Sequence, residues 1–402
     1  MAACVAACAA VRAEGGPEGV PVVVGDDPAS AAPAADQVPE AAEAVEGPDL
    51  ATMSSVIVEG SSCLGGCVGP GPEAASACGD DLDDWTAIAT FDVLFLQRAN
   101  TVGPLAVASQ ASDIPGATVI SASDVRYPTI PGMRVFHGWR NDESGGWEVG
   151  YLGAWSMHAD AVAVSPTGSL ALPGGLGLVA GSGFDAATVI QPTLDASLNS
   201  AEFNVFSTRV YGGCRRHDPL PWRRSWDVLE GTTARADWIM GIRWAGIDET
   251  ANLAVTAATP GPSTTAYRVT TSTQFVGPQL GHRRRVAWGD WALEGWMKVA
   301  LVGSLLSQSQ GSVVGPFDLV PIRGPQSSTS TGVGMIGDIN ASAVRRLGDH
   351  WSVRAGYTLL WFAGAAPAAN QWDFANTPTS GPGIERGTVF LHGATLGVEA
   401  AW

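Results

Sequence analysis

HWSVRAGYTLLWFAG, residues 350–364, has the pattern of one β-strand with two unlike faces. Trp351, Val353, Ala355, Tyr357, Leu359 and Trp361 fall on one side, and Ser352, Arg354, Gly356, Thr358, Leu360 and Phe362 on the other. Successive side chains of a strand point to opposite faces, so the first face is aromatic and apolar and the second small, with one charge. Trp351 and Trp361 are separated by about 33 Å of extended chain. Tilted by about 40°, that segment rises about 25 Å, the height of the apolar band between the aromatic girdles of a membrane barrel.

The same alternation recurs. Trp147, Val149, Tyr151, Gly153, Trp155 and Met157 share a face, as do Trp238, Met240, Ile242 and Trp244, and Trp291, Leu293, Gly295, Met297, Val299 and Leu301. Leu396, Val398, Ala400 and Trp402 do so at the end of the sequence. The pattern predicts about ten strands, in the range eight to twelve, near 85–98, 131–140, 147–157, 201–211, 235–246, 267–282, 289–304, 332–345, 350–363 and 387–402. Two further short strands have room within 112–127 and 160–196. A soluble β-sandwich also alternates and is the competing architecture. Loop lengths favour the barrel. The connections after the odd strands are long (99–130, 158–200, 247–266, 305–331 and 364–386), whereas 141–146, 283–288 and 348–349 are short. Long outer loops and short periplasmic turns produce this parity. The connection near 212–234 breaks it. The expected fold is therefore all-β, an antiparallel transmembrane up-and-down barrel. Trp147, Trp155, Trp238, Trp244, Trp291, Trp351, Trp361 and Trp402 are the expected aromatic girdles.

Composition divides the chain once. All 15 tryptophans lie at or after Trp85, whereas residues 1–84 hold 15 acids and one base, Arg12, of the chain's 39 acids and 22 bases. That Ala/Pro/Gly/Glu-rich segment carries too little apolar surface to offset its ordering entropy and is expected to be disordered. It contains Cys4, Cys8, Cys63, Cys67 and Cys78, which lack the four-ligand spacing of a zinc site; the sixth cysteine is Cys214. Its start, MAACVAACAAVRAEG, has the small apolar character of a signal-peptide remnant. The absence of a basic stripe argues against nucleic-acid binding. The longest uncharged run, 161–184, is broken by Pro166, Pro173 and several glycines, so no transmembrane helix is expected.

Six stretches, GWRNDESGGWEVGYLGAW (138–155), SAEFNVFSTRVYGG (200–213), RADWIMGIRWAGIDETANL (235–253), GDWALEGWMKVALVG (289–303), HWSVRAGYTLLWFAG (350–364) and the closing GTVFLHGATLGVEAAW, resemble the planctomycete outer-membrane β-barrel protein family. The resemblance covers about 85–402. It implies a barrel in the outer membrane, with no catalytic residues. The aromatic last residue resembles the terminal signal read by barrel-assembly machinery, where Phe is usual. The expected partners are that machinery and a lipopolysaccharide-type outer membrane, with residues 1–84 in the periplasm.

The candidate functional residues are the charges on the small face: Glu148, Asp237, Arg243, Glu294, Lys298, Asp338, Arg354 and Glu399. Five acids against three bases, in a lumen narrow enough to be filled by side chains, suggest either a salt-bridge plug or a constriction selective for small cations. His282-Arg283-Arg284-Arg285 falls at an expected periplasmic turn. Gly332 to Gly337 spells G-x-G-x-x-G but continues an alternating pattern, which fits a barrel strand rather than a dinucleotide loop. His158 and Asp160, just past the third strand, are the only hint of a rim enzyme. No G-x-S-x-G or H-E-x-x-H motif is present, and no cofactor or metal is expected.

Overall fold

In the computed structural model, residues 22–23, 85–99, 103–111, 117–141, 144–212, 232–258, 260–376 and 383–402 are described. Ten long strands form the wall: β1 (Thr86–Ala99), β2 (Ile130–Asn141), β3 (Gly145–Asp160), β4 (Ala187–Gly212), β5 (Thr232–Ala257), β6 (Ser263–Trp288), β7 (Trp291–Gln310), β8 (Gln326–Arg346), β9 (Trp351–Ala365) and β10 (Gly387–Ala401). Each pairs antiparallel with its neighbour in sequence, and β10 pairs with β1, closing the ring. The chain is an all-β antiparallel barrel. Closure excludes the β-sandwich and leaves no strand edge in the ring unpaired.

The register fixes the geometry of the ring. From Trp291 the paired row runs through Arg345, Val353, Val398, Phe91, Val135, Tyr151, Ala201, Trp244 and Val276, and re-enters β7 at Gly303, twelve residues further on. A climb of about 40 Å along the strands over a ring about 48 Å wide corresponds to a tilt of about 40° and a radius of roughly 10 Å. Each step along the row rises about 3 Å, so Trp244, eight steps on, sits about 25 Å above Trp291.

The strands change character partway up. Near the short turns their outward side chains are apolar and exposed: Trp238, Met240 and Ile242 are each 60–62% accessible, and Leu280 and Leu301 are similar. Further up the sense reverses. Ile247, Ala251, Leu253 and Val255 of β5 are buried inside, while Asp248 is exposed outside. On β6, Tyr267, Val269 and Phe275 are inside, while Arg268 and Thr270 are outside. Loops complete this upper core. The short strands Ala106–Gln110, Thr118–Ser121 and Leu170–Ala171 pair beside β4, and Val107, Ile120, Leu172, Leu176, Phe184 and Trp372 pack within the ring's outer end.

Several sequence expectations are corrected. The connection expected over 247–266 is short, because β5 and β6 are 26 residues each and run to within a few residues of each other. The fourth strand begins at Ala187, well before 201, and the third connection narrows accordingly. The His282–Arg285 run lies within β6; the turn is Gly289-Asp290, where the positive φ of Gly289 (55°) at the first loop position suits a two-residue hairpin. Met157 does not share the face of Trp155. Ser156 has φ 61°, the register slips between Ala154 and Met157, and Met157 turns inward with 1% accessibility. A bulge inserts one residue and so inverts every side chain beyond it. The G-x-G-x-x-G glycines lie on β8, where the Trp361 indole occupies the space a Cβ at Gly337 would need. The segment 213–231 with Cys214, the other five cysteines and nearly all of 1–84 lie outside the described residues.

A serine held at positive φ is strained, and glycine adopts that conformation freely. Ser156→Gly is expected to raise stability by a few tenths to about 1 kcal/mol, read from urea unfolding in detergent micelles. A loss of stability would mean that the hydroxyl, not the backbone, holds the bulge.

Candidate functional site

The interior of the lower barrel is built from inward positions of all ten strands. Each of the eight charges expected there is inside. Glu148, Asp237, Arg243, Glu294, Lys298, Asp338 and Arg354 are between 1% and 7% accessible, and the Glu399 side chain 12%. Eight further ionisable side chains face the same interior or its upper end: Asp92, Arg98, Arg134, Arg140, Glu202, Glu249, Arg283 and Arg285. Arg235 joins them on Asp237 at 3.7 Å. Nine bases against eight acids remove the acid surplus read from the sequence, and with it the electrostatic case for cation selection.

Many of these residues pair across the lumen, three or four strands apart around the ring, and others pair between neighbouring strands. Lys298 Nζ donates to Glu202 Oε1 at 2.8 Å and lies 3.5 Å from Glu148 Oε1. Arg283 donates through Nη1 to Glu148 Oε2 at 2.7 Å and through Nε to Asp237 Oδ2 at 2.8 Å. Asp338 is held between Arg134 and Arg243 at 3.4 and 3.3 Å and accepts the Trp296 indole N–H at 3.1 Å. Gln279 Nε2 donates to Glu202 and Asn204, and Asn204 Nδ2 to Glu148, so neutral amides bind the remaining carboxylate oxygens. A second group sits on the β9–β10–β1 side, where Arg354 contacts Asp92, Glu294 and Glu399, and Arg285 donates to Glu399 at 2.6 Å. The Lys298 ammonium also lies 4.5 Å from the centroid of the inward Phe136 ring.

The sequence reading missed Asp92, Arg134, Arg140 and Glu202, although the same period-two count finds them. Phe91, Val93 and Phe95 point out, which turns Asp92 inward, and Phe203 and Val205 do the same for Glu202. Arg283 and Arg285 were assigned to a turn, which gave them no face.

Two levels close the interior. The middle of the network is dry, with Arg134, Lys298 and Asp338 at 1% accessibility, whereas Arg235 and Arg285 near the turns reach 17% and 20%. Above it lies the apolar core of the outer end, crossed by the ion pair of Arg98 and Glu249 at 2.6 Å. Glu249 also accepts the Ala368 N–H at 2.9 Å, which ties the last loop to the wall. Arg323 donates to Asp373 at 2.7 Å and to the Tyr267 hydroxyl at 2.8 Å, tying the same loop again. Burial pushes the Tyr127 phenol in this cap up from its ordinary value, and the Tyr267 hydroxyl donates to Gln310 Oε1 at 3.1 Å.

The outward aromatics fall at two heights. Trp147, Trp238, Trp291, Trp351 and Trp402 lie towards the turns, where Trp139 stacks near Trp147 (4.8 Å) and Trp402 near His137 (6.4 Å). Trp155, Trp244 and Trp361 lie at the upper level. There the Trp155 and Trp244 indoles donate to Asn199 and Gln274 at 3.0 and 3.1 Å.

The rim residues do not assemble a reaction centre among the described residues. His158 and Asp160 lie on β3 itself and point outwards, and His158 Nδ1 pairs with Asp195 Oδ1 at 2.8 Å, both side chains 58% accessible. No group of three or more His, Cys, Asp or Glu stands ready for a metal ion among the described residues.

No protein family and no curated protein matches this sequence. The chain is similar to solved outer-membrane barrels: the outer membrane protease OmpT from Escherichia coli (12% identity, 80% of this chain and 98% of that one, TM-score 0.43) and a Pseudomonas aeruginosa FadL homologue (8%, 80% and 90%, 0.23). A third is the Pseudomonas putida toluene transporter TodX (8%, 79% and 89%, TM-score 0.15). At these identities the likenesses bring no residue role or activity with them.

Removing one partner from a buried ion pair leaves the other charge uncompensated. Lys298→Met is expected to cost about 3–5 kcal/mol in urea unfolding, and adding Glu202→Gln to it should recover a substantial part. A single variant within experimental error of the parent would mean that water, rather than Lys298, balances these carboxylates.

Proposed function

We propose that this chain is an outer-membrane β-barrel with a closed lumen, serving as a structural element of the envelope rather than as a conduit or an enzyme. The observation that carries the reading is the reversal of polarity along β3, β4, β5 and β6. Over a height of about 25 Å, between the two levels of tryptophan, the outside is apolar and the inside charged. Above that height the outside is polar and the inside apolar. The lower zone suits hydrocarbon and the upper zone suits water. The tryptophan levels then act as interfacial girdles, with the indole N–H groups of Trp155 and Trp244 at the boundary, where an apolar ring with a polar tip is favoured. The short turns face the periplasm, as does Thr86, where β1 begins. The lipid bilayer is the partner the exposed surface requires. Membership of the planctomycete outer-membrane family, read from the sequence, belongs to this proposal.

The closed form is favoured over a narrow pore. The lumen charges are matched and cross-linked, and the outer end is filled by Leu94, Leu253, Tyr267, Phe275 and the loop residues packed on them. A conduit would need both layers to open.

The test is to fold residues 80–402 into detergent micelles and compare gel mobility before and after boiling, with circular dichroism alongside. Heat-modifiable mobility with a β spectrum is the expected result; a protein that remains monomeric and soluble without detergent sinks the reading. A finer check uses depth. Met297→Arg, near mid-height on the outer face, is expected to cost roughly 2–4 kcal/mol when the protein is folded into vesicles, and Ser307→Arg, above the belt, roughly nothing. Equal costs at the two sites would contradict a bilayer around the lower half. In planar bilayers the folded protein should give no discrete conductance steps, and regular steps would restore the pore.

A further inference from the structure

We infer that the turn-end mouth of the barrel holds a binding site for a phosphate-type oxyanion. Here a cavity of about 40 Å³ is lined by five bases, Arg140, Arg283, Arg285, Lys298 and Arg354, and three acids, Glu148, Glu294 and Glu399. About 10–15 Å³ on this measure holds one water, so the space suits three waters or one compact oxyanion, and no larger solute.

The charge distribution at this level is uneven. Three arginines converge on the single carboxylate of Asp237: Arg283 at 2.8 Å, Arg140 at 3.4 Å and Arg235 at 3.7 Å. Asp237 also accepts the Thr208 hydroxyl at 2.9 Å. Deeper in the lumen the charges balance, with Lys298 serving two glutamates and Arg134 and Arg243 sharing Asp338. The surplus of positive charge is therefore local to the mouth. Two guanidinium nitrogens of cavity-lining residues, Arg140 Nε and Arg283 Nη2, are buried and make no hydrogen bond among the described residues. Guanidinium groups with unused donors around a small cavity match the tetrahedral oxygens of a phosphate, which arginine binds through paired N–H groups. The inward Phe206 ring, beneath both the Arg140 and Arg283 guanidinium groups at 5.2 and 4.9 Å, holds the two planes in place. The apolar outer core lies on the far side, so the site is a blind cup. A ligand enters and leaves from the turn side only. The inference concerns the interior and does not depend on what surrounds the barrel.

Phosphate chemistry reaches such a mouth as the free ion or on a lipid headgroup, and titration calorimetry of the full chain in micelles separates the two. Inorganic phosphate is titrated against chloride at matched ionic strength, and dihexanoyl phosphatidic acid forms the second arm. Saturable binding in either arm but not with chloride is expected, and the arm that binds identifies the source. Arg140→Gln should weaken it at least tenfold, Arg140→Lys should retain part of it, and Arg386→Gln, at the exposed outer end, should leave it unchanged. Arg140 is the preferred variant because its one ion pair is long; where Arg140→Gln fails to give heat-modifiable mobility, Arg285→Gln takes its place. Binding equal in phosphate and chloride, binding in neither arm, or undiminished binding in the Arg140 or Arg285 variant overturns the site.

Discussion

The closing register of the ring is the constraint on which everything else rests. Ten strands that meet after a climb of twelve residues have one tilt and one radius. A radius of roughly 10 Å is too small for a water-filled channel once side chains are added, and about right for arginine, lysine and glutamate to meet from separate walls. The lumen is therefore a problem in matching charges. The chain solves it with paired guanidinium and carboxylate groups, filled in by Gln279, Asn204 and the Trp296 indole. Such a network adds little net stability over an apolar filling, but any member removed leaves its partner stranded.

The lower half of this architecture is legible in the sequence. Strands such as Trp351–Ala365 and Trp291–Gln310 keep strict alternation with bulky apolar side chains on one face, and that contrast survives without any tertiary information. The upper half is not legible by the same rule. Asp248 and Thr264 sit on regular strands, yet in sequence they sit among polar residues and look like loop. Their alternation is intact, but its sign is reversed, because the outside there is polar and the core lies within. A reader who expects one fixed sense of alternation stops the strand where the surroundings change.

The interior site was read in part for related reasons. Glu148, Asp237 and Lys298 lie on strands whose apolar partners made the inward face obvious, whereas Arg283 was hidden in a cationic run that resembled a turn. Ser156 shows the limit of counting. One residue at positive φ moves Met157 from the outer face to the inner, and no feature of the local composition announces it. Charge balance is more sensitive to such omissions than fold is. A few missed arginines leave the barrel intact but change the sign of its interior.

The reversal of polarity along the strands also sets a waterline. In the proposed bilayer, sliding the barrel inward by two residues would strip hydrocarbon from the apolar row near the turns and carry Asp248 towards it, and sliding it outward would lift the row of Trp244 and Trp361 out of it. Both displacements are penalised by the same covalent chain, so the molecule floats at one draught. Whatever the outer loops present is then held at a constant height above the surface, like a mark painted on a hull.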